Sequence, residues 1–301
     1  MILSIFTIPK AFCGRIELIQ RNAIKSWIAI GSDAEVILVG DDEGTQEIAE
    51  EFELKHIPAI DRNRFNTPTV SSAFDLAQGA ARGSVMAYVN ADIMLTPDVL
   101  KVTQAVPFNE YLVTGRRWDL DVQEEFDFCE PDWDDSLRKR AVEKGRPQEP
   151  AGMDCFIFPK GMFRDLPPFG VGRAGWDNWM VFRARSLKVP VIDATGFVTI
   201  IHQNHDYAHH PFGVTGALGG EELEWNLRLG GGWDHVFTLE DADWILDSKG
   251  MRKRPLTRKT LTRRIKTIPV FHPGLKWLFD FLKSCKGLMK RVFGLSITQQ
   301  T

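Results

Sequence analysis

Residues 85–95 read VMAYVNADIML: an apolar run from Val85 to Val89 stops at Asn90-Ala91-Asp92, and apolar residues resume at Ile93. A run of this length, preceded by Gly83, has the signature of a buried strand ending in a polar turn. Upstream, segment 2–8 is a second such run, stopped by Pro9. In segment 16–30 the residues Ile16, Ile19, Ala23, Trp27 and Ile30 recur at helical spacing, and Gly31 closes the segment. Segment 35–40, EVILVG, predicts another strand and runs directly into Asp41-Asp42-Glu43. A short helix over 45–52, a strand over 54–58 and a helix over 70–82 complete the interval. Strand and helix alternating in this way predict an α/β fold with a mostly parallel central sheet flanked by helices. In open sheets of this kind ligands bind beyond the carboxyl ends of the strands, so Asp41, Asp42 and Asp92 are expected at one edge. From Pro107 onward the alternation gives way to shorter predicted strands at 111–115, 154–158 and 197–202, separated by long loops.

Composition supports one ordinary folded body. The chain has 301 residues, 44% hydrophobic and 26% charged, which excludes extended disorder, and its 25 Gly and 16 Pro exclude collagen-like sequence. Cys13, Cys129, Cys155 and Cys285 form no C-x-x-C pair, which argues against a zinc knuckle or redox dithiol and for a reducing compartment. No basic stretch precedes the first apolar run, and no stretch of 18 uncharged apolar residues occurs. A cytoplasmic location follows as the expectation. Charge is divided unevenly: residues 250–301 hold 13 Lys/Arg against the single acid Asp280, leaving 24 basic and 39 acidic residues elsewhere. An acidic body with a basic tail points to an anionic partner for the tail.

That tail reads as a Lys, Arg and Thr-rich tether through Lys266 and then an amphipathic basic helix over 273–295. Its stripe includes Trp277, Phe281, Leu288 and Val292, with Lys276, Lys283 and Lys290 elsewhere on the wheel. One reading lays this helix on the inner face of a membrane as a peripheral contact. Another packs it back on the body as an ordinary last helix. Nucleic acid is not expected as a partner, because no binding module is present and the acidic body would repel phosphate. The predicted division is 1–246 as a catalytic domain, with halves 1–106 and 107–246, and 247–301 as the tail.

Two short oxygen-bearing side chains one residue apart at a strand end can converge on one hard divalent cation. In this respect Asn90-Ala91-Asp92, followed by an apolar residue and Pro97, resembles the D-x-D motif of GT-A glycosyltransferases, particularly the family-2-like nucleotide-diphospho-sugar transferases. EVILVGDDEG resembles the second strand of the same fold, and 5–9 the first. The resemblance covers roughly residues 2–205 and departs from the pattern at Asn90, a neutral ligand where the family has an acid. It implies a GT-A fold whose first half binds the donor. Thr7 and Pro9 would line the nucleotide pocket, Asp41 and Asp42 would meet the base, and Asn66 and Ser72 of NTPTVSS would approach the ribose and diphosphate. Asn90 and Asp92 would hold Mn2+ or Mg2+, with His202 as third ligand and His205 as the alternative; His209 and His210 complete the same cluster, which serves equally well as a polar loop.

Further along, Trp176-Asp177-Asn178 resembles the segment of inverting enzymes in which a carboxylate is the general base. It also reads as a cap, Asp177 starting a helix over 178–185. Asp154 in PAGMDCFIFPK is a candidate for binding sugar hydroxyls, a competing base or a simple turn acid. Arg116, Arg117, Trp118 and Asp119 in LVTGRRWDLDV, with Trp133, are candidates for an acceptor platform, because aromatic faces stack on sugars and Arg pairs with phosphate, and Trp176 is a further substrate-binding candidate; a surface salt-bridge network is the alternative. The reading implied is a metal-dependent inverting glycosyltransferase moving a sugar from a nucleotide diphosphate sugar to a saccharide or lipid-linked acceptor. Two alternatives remain: a sugar nucleotidyltransferase, for which IPKAFCGRIE is a poor match to the expected loop, and a non-catalytic, membrane-tethered nucleotide-sugar-binding protein, favoured by Asn90. A dinucleotide dehydrogenase is disfavoured by the lack of G-x-G-x-x-G after the first strand.

Overall fold

The computed structural model describes residues 2–205 and 219–281. The chain divides into two compact units, Met1–Arg254 and Pro255–Thr301. In the first unit the alternation expected from sequence is present: β1 (Leu3–Thr7), α1 (Gly14–Ala29), β2 (Ala34–Val39), α2 (Thr45–Glu51), β3 (Lys55–Ile57), α3 (Val70–Ala80) and β4 (Val85–Val89). β1 pairs in parallel with both β2 and β4, and β2 with β3. Every residue of β1 and β4 is buried, which is why both read as continuous apolar runs with no polar alternation.

The second half builds on that frame with β5 (Ile93–Leu95), α4 (Asp98–Ala105), β6 (Leu112–Thr114), β7 (Trp118–Leu120), α5 (Trp133–Lys144), β8 (Arg146–Pro147) and β9 (Cys155–Pro159). It continues with α6 (Trp176–Ser186), β10 (Val191–Gly196), β11 (Ile200–Gln203), α7 (Gly220–Gly230), β12 (Trp244–Asp247) and β13 (Gly250–Lys253). The main sheet has nine strands in the order β13-β12-β10-β6-β9-β4-β1-β2-β3, and β5-β11-β7-β8 form a separate four-stranded sheet. β9 runs antiparallel to both β4 and β6, an inversion in an otherwise mostly parallel sheet.

Two groups of side chains cover the main sheet. On one side Phe6 meets Phe74 at 5.0 Å and Tyr88 at 5.5 Å, and Phe74 stacks on Phe158 at 5.5 Å. Elsewhere α1 contributes Ala23, Ile24 and Trp27 to a core with Leu3, Ile5 and Leu38. The Trp27 indole N–H donates to the Ile93 carbonyl at 2.9 Å, which fixes α1 against the smaller sheet. At the opposite end of the strands the Glu35 carboxylate is buried beneath Ser4, Arg82 and Gly83. Gly83 lies so close to the Ile2 carbonyl and the Ser4 hydroxyl that a Cβ would collide with both.

The tail differs from its sequence reading. The hairpin of β12 and β13 pairs Leu246 with Met251, so the first unit runs on to Arg254, past the boundary expected at 246. The stretch read as a tether through Lys266 instead contains β13 and α8 (Arg258–Phe271). α8 begins in a capping box in which the Thr257 hydroxyl accepts from the Thr260 N–H and the Thr260 hydroxyl from the Thr257 N–H. A 3-10 turn at Pro273–Leu275 leads into helix at 276–281. The rest of the helix expected over 273–295, together with His209 and His210, lies outside the described residues.

Candidate active site

The carboxyl ends of β1, β2 and β4 converge as expected, and the small sheet completes the site from behind. After β4 the chain turns tightly, the Ile93 N–H donating to the Asn90 carbonyl at 3.0 Å, and enters β5. Strand pairing then decides the neighbours of Asp92. β11 sets His202 opposite Ile93, and β7 sets Asp119 opposite His202. As a result Asp92 Oδ2 lies 3.1 Å from His205 Nε2 and 3.7 Å from His202 Nε2, while His202 Nδ1 lies 3.2 Å from Asp119 Oδ1.

Asp92, His202 and His205 offer ligand atoms all within 4.8 Å of one another. The second carboxylate oxygen, Asp92 Oδ1, is buried with no hydrogen-bond partner. A buried, unpartnered carboxylate oxygen beside two imidazoles fits a divalent cation. Burial works against ionisation of Asp92, but the charge of His202, the His205 hydrogen bond and the Lys10 ammonium outweigh it and hold the carboxyl well below its usual range. Burial also works against charge on His202; Asp92 and Asp119 prevail and raise it above its ordinary value.

Asn90, expected as a ligand through its side-chain oxygen, is anchored by its amide nitrogen. Its Nδ2 donates to Asp154 Oδ1 at 2.6 Å, and Arg117 donates to Asp154 Oδ2 at 2.7 Å and to Asp119 Oδ1 at 2.9 Å. Gln148 Nε2 reaches the remaining Asp119 oxygen at 3.0 Å. Asn90 is thus tied through its nitrogen into a buried polar network, beside a cluster of one carboxylate and two imidazoles that could hold a cation. Arg117 belongs to the same network, held between two acids that raise its pKa against the cost of burial. His205, the alternative ligand in the sequence reading, joins the cluster.

Asp177 lies in the first turn of α6, after Gly175 in the left-handed region at φ 101°. Its Oδ1 accepts the N–H groups of Asn178 at 2.8 Å and Gly175 at 3.2 Å, but the helix begins at Trp176 with Gly175 at the cap position, so Asp177 lies inside the first turn instead of capping a helix that starts at 178. Burial nevertheless pushes its carboxyl up to about 7; the Asn178 N–H opposes the shift and the Asp154 charge adds to it. The Tyr88 hydroxyl, raised above its usual pKa chiefly by burial, also feels Asp92, Asp154 and Asp177, so the three acids share one neighbourhood.

The aromatic platform is not assembled as expected. Trp176 is 4% exposed and meets Tyr88 edge-on at 5.0 Å, and Trp133 is 7% exposed in the core behind the small sheet, with Trp118 packed against that cluster. Their rings are spent on packing because each begins an element whose apolar face turns inward.

On the nucleotide side Thr7 and Pro9 are buried at the end of β1. Arg62, not singled out in the sequence, gathers this side: it donates to Asp41 Oδ1 at 2.6 Å, stands 3.7 Å from Asp42 Oδ1 and donates to the Asn66 carbonyl at 2.9 Å. Asn66 takes a positive φ of 63°. The Ser72 hydroxyl accepts from the Asp61 N–H at 3.0 Å and shapes the same loop. Asn63 donates to Glu222, which accepts from Arg173 at 2.6 Å, so the loop is tied to the glycine-rich segment 170–175.

Residues 15–125 match the family model described as Glycosyl transferase family 2. No curated protein sequence matches the chain. Among solved structures, S. aureus TarS 1-349 aligns at 13% identity and TM-score 0.40 over 68% of this chain and 58% of that one. The Pyrobaculum calidifontis mannosyltransferase PcManGT, in complex with GDP-Man and Mn2+, aligns at 14% identity and TM-score 0.43 over 70% and 59%. Glucosyl-3-phosphoglycerate synthase from Mycobacterium tuberculosis, in complex with Mg2+ and UDP, aligns at 14% identity and TM-score 0.41 over 68% and 72%. The chain therefore spans less than two thirds of the TarS and mannosyltransferase chains that it resembles.

The placement of Asn90 has a measurable consequence. Asn90→Asp sets a second carboxylate where a 2.6 Å hydrogen bond to Asp154 now stands, and is expected to lower stability by about 1–3 kcal/mol without tightening Mn2+ binding. Denaturant unfolding and calorimetric titration check the two parts; a tighter Mn2+ site in this variant would restore Asn90 to the ligand set.

Proposed function

We propose that this chain, which residues 15–125 join to the family 2 glycosyltransferases on a GT-A fold, moves a sugar from a nucleotide diphosphate sugar to a saccharide or lipid-linked acceptor with inversion. The observation that carries the proposal is the Asp92, His202 and His205 cluster at the carboxyl end of β4, with one Asp92 oxygen buried and unpartnered. These three residues would hold Mn2+ or Mg2+, and two imidazoles in the set favour Mn2+. When bound, the cation supplies electrostatic stabilisation of the departing diphosphate.

The chain's own residues do the rest. Asp177, with its carboxyl near 7, is suited to accept the proton of the acceptor hydroxyl as that oxygen attacks the anomeric carbon. The bond from the anomeric carbon to the diphosphate oxygen breaks with its electron pair on the diphosphate, and the proton ends on Asp177. Arg62, Asp41, Asp42 and Asn66 frame the nucleotide side, while Thr7, Pro9 and Ser72 support its walls. Arg117 and Asp154 border the acceptor side, with Trp118 and Trp176 packed behind them.

The lipid-linked acceptor rests on the second unit. There Leu261, Ile265, Trp277 and Phe281 are exposed on a segment that also carries Arg258, Lys259, Arg263, Arg264, Lys266 and Lys276. Exposed apolar groups among cations suit the headgroup region of an anionic membrane, each cation adding about 1 kcal/mol near the surface. The contact proposed over 273–295 is peripheral, on the cytoplasmic side. Among the described residues no helix is long and apolar enough to cross a membrane.

Three measurements test this reading. A melting-temperature screen of nucleoside diphosphates and nucleotide sugars, with and without Mn2+, is expected to show a metal-dependent rise for the true donor, about 2.7 kcal/mol at a hundredfold excess over Kd. Asp92→Ala should abolish the rise; a folded wild-type protein that responds to no member of the panel refutes donor binding. With the donor in hand, kcat/KM should climb about tenfold per pH unit below pH 7 and level off above it, because the base works deprotonated and its folded pKa is raised to about 7. Asp177→Asn should lower kcat by about 10²–10⁴ and remove that limb; an unchanged profile assigns the base elsewhere. For the membrane contact, sedimentation with vesicles rich in anionic lipid should capture the full chain at low salt and release it at high salt or on Trp277→Glu, whereas equal capture by neutral vesicles would refute the electrostatic part.

A further inference from the structure

The loop after β1 carries a cation that the reading above leaves without a role. β1 and β4 are parallel neighbours with Phe6 opposite Tyr88, and Lys10 and Asp92 each lie four residues beyond that pair. The register therefore brings Lys10 to the edge where Asp92 stands. Lys10 is exposed, but its backbone is held: its N–H donates to Gln20 Oε1 at 2.7 Å, and Gln20 Nε2 donates to its carbonyl at 2.8 Å. Gln20 is 2% exposed, so a buried amide of α1 fixes the point from which the lysine side chain departs. The Lys10 charge acts on both Asp92 and Arg173.

Arg117 stands between Asp119 and Asp154, and Arg173 is 2.6 Å from Glu222. The cation site, for its part, brings a single carboxylate, since Asn90 is neutral and serves Asp154. One carboxylate leaves a divalent cation with net positive charge, and an ammonium at the same edge adds to it. That combination suits an oxygen-rich dianion.

We infer that Lys10 binds the diphosphate of the donor through its ammonium group, supplementing the charge of the cation on the leaving group. The inference rests on the donor reading and extends it to a residue outside the matched segment 15–125. A charge-assisted hydrogen bond to phosphate oxygen is worth about ten- to a hundredfold in affinity. It loses strength with salt, because the side chain is exposed.

The test uses the full chain and the 5′-diphosphates of uridine, guanosine, adenosine, cytidine and thymidine, each beside its parent nucleoside, titrated calorimetrically with and without Mn2+. Lys10→Met, which keeps the apolar stem, should weaken the diphosphate that binds wild type by about ten- to a hundredfold. It should leave the nucleoside unaffected. Lys10→Arg should restore most of the loss, and the gap between wild type and Lys10→Met should narrow at high salt. Equal diphosphate affinity in wild type and Lys10→Met would overturn the inference, as would equal weakening of nucleoside and diphosphate, which marks a loop-shaping role. A wild type that binds none of the diphosphates overturns the donor reading itself and this role with it, a result distinct from either of those.

Discussion

Arg117 joins the two sheets at the site. It bonds Asp154 at the head of β9 in the main sheet and Asp119 on β7 in the small one, at 2.7 and 2.9 Å, with both carboxylates buried. Three charged groups withdrawn from water are tolerable only when they are paired and hydrogen-bonded, and here Asn90 donates to Asp154 and Gln148 to Asp119. Removing one member would leave a buried charge without its partner, typically a loss of about 3–5 kcal/mol. The position of His202 follows from this clamp, because Asp119 is at once the partner of Arg117 and the acid nearest His202 Nδ1. A carboxylate behind a ligating imidazole turns its other nitrogen toward the cation.

The same neighbourhood drives its acids apart. Asp92 and Asp177 are both withdrawn from water, which by itself raises a carboxyl pKa. Asp92 faces two imidazoles and an ammonium and stays ionised; Asp177 faces backbone N–H groups and the charge of Asp154 and is pushed up to about 7. Two acids separated in this way suit one as a fixed ligand and the other as a proton acceptor.

The first half of the fold was legible because β1, β2 and β4 are buried almost throughout and each helix is closed by a glycine or a polar turn. Six predicted elements from 2–8 to 70–82 match observed ones to within about three residues, a scatter ordinary for element ends. In the second half the segments 111–115, 154–158 and 178–185 meet β6, β9 and α6, and 197–202 overlaps β11, but the small sheet was not legible, for a physical reason: β5, β7 and β8 span two or three residues each, too short for any periodicity, and their pairing joins segments near 94, 119, 146 and 201. Arg62 was invisible for that reason, and Asp119, read as part of an acceptor platform, stands instead beside His202 Nδ1, a placement that exists only across long-range pairing. Trp176 and Trp133 misled in the opposite sense, because an aromatic residue beside an acid reads alike whether its ring meets a sugar or the core. At α8 the Lys, Arg and Thr content suggested a tether, yet Thr257 and Thr260 already stood at capping spacing before Leu261 and Ile265.

The segment that matches the family, 15–125, holds Asp41, Asp42, Arg62, Asn90, Asp92, Arg117 and Asp119, and ends before Asp154, Asp177, His202 and His205. Lys10 precedes it. The matched part therefore carries Asp92 and the Arg62 cluster with Asp41 and Asp42, while Asp177 and both imidazoles come from chain that this match does not reach. Such a division follows from the fold. Strands β1, β2 and β4 are buried almost throughout, which confines them to apolar side chains, whereas the later loops need only return a few side chains to a fixed edge. With an asparagine at the first motif position, the imidazoles from β11 and its following turn are the groups that stand within ligand distance of Asp92. The chemistry of this site is thus set as much by where 200–205 returns as by the motif at 90–92 itself.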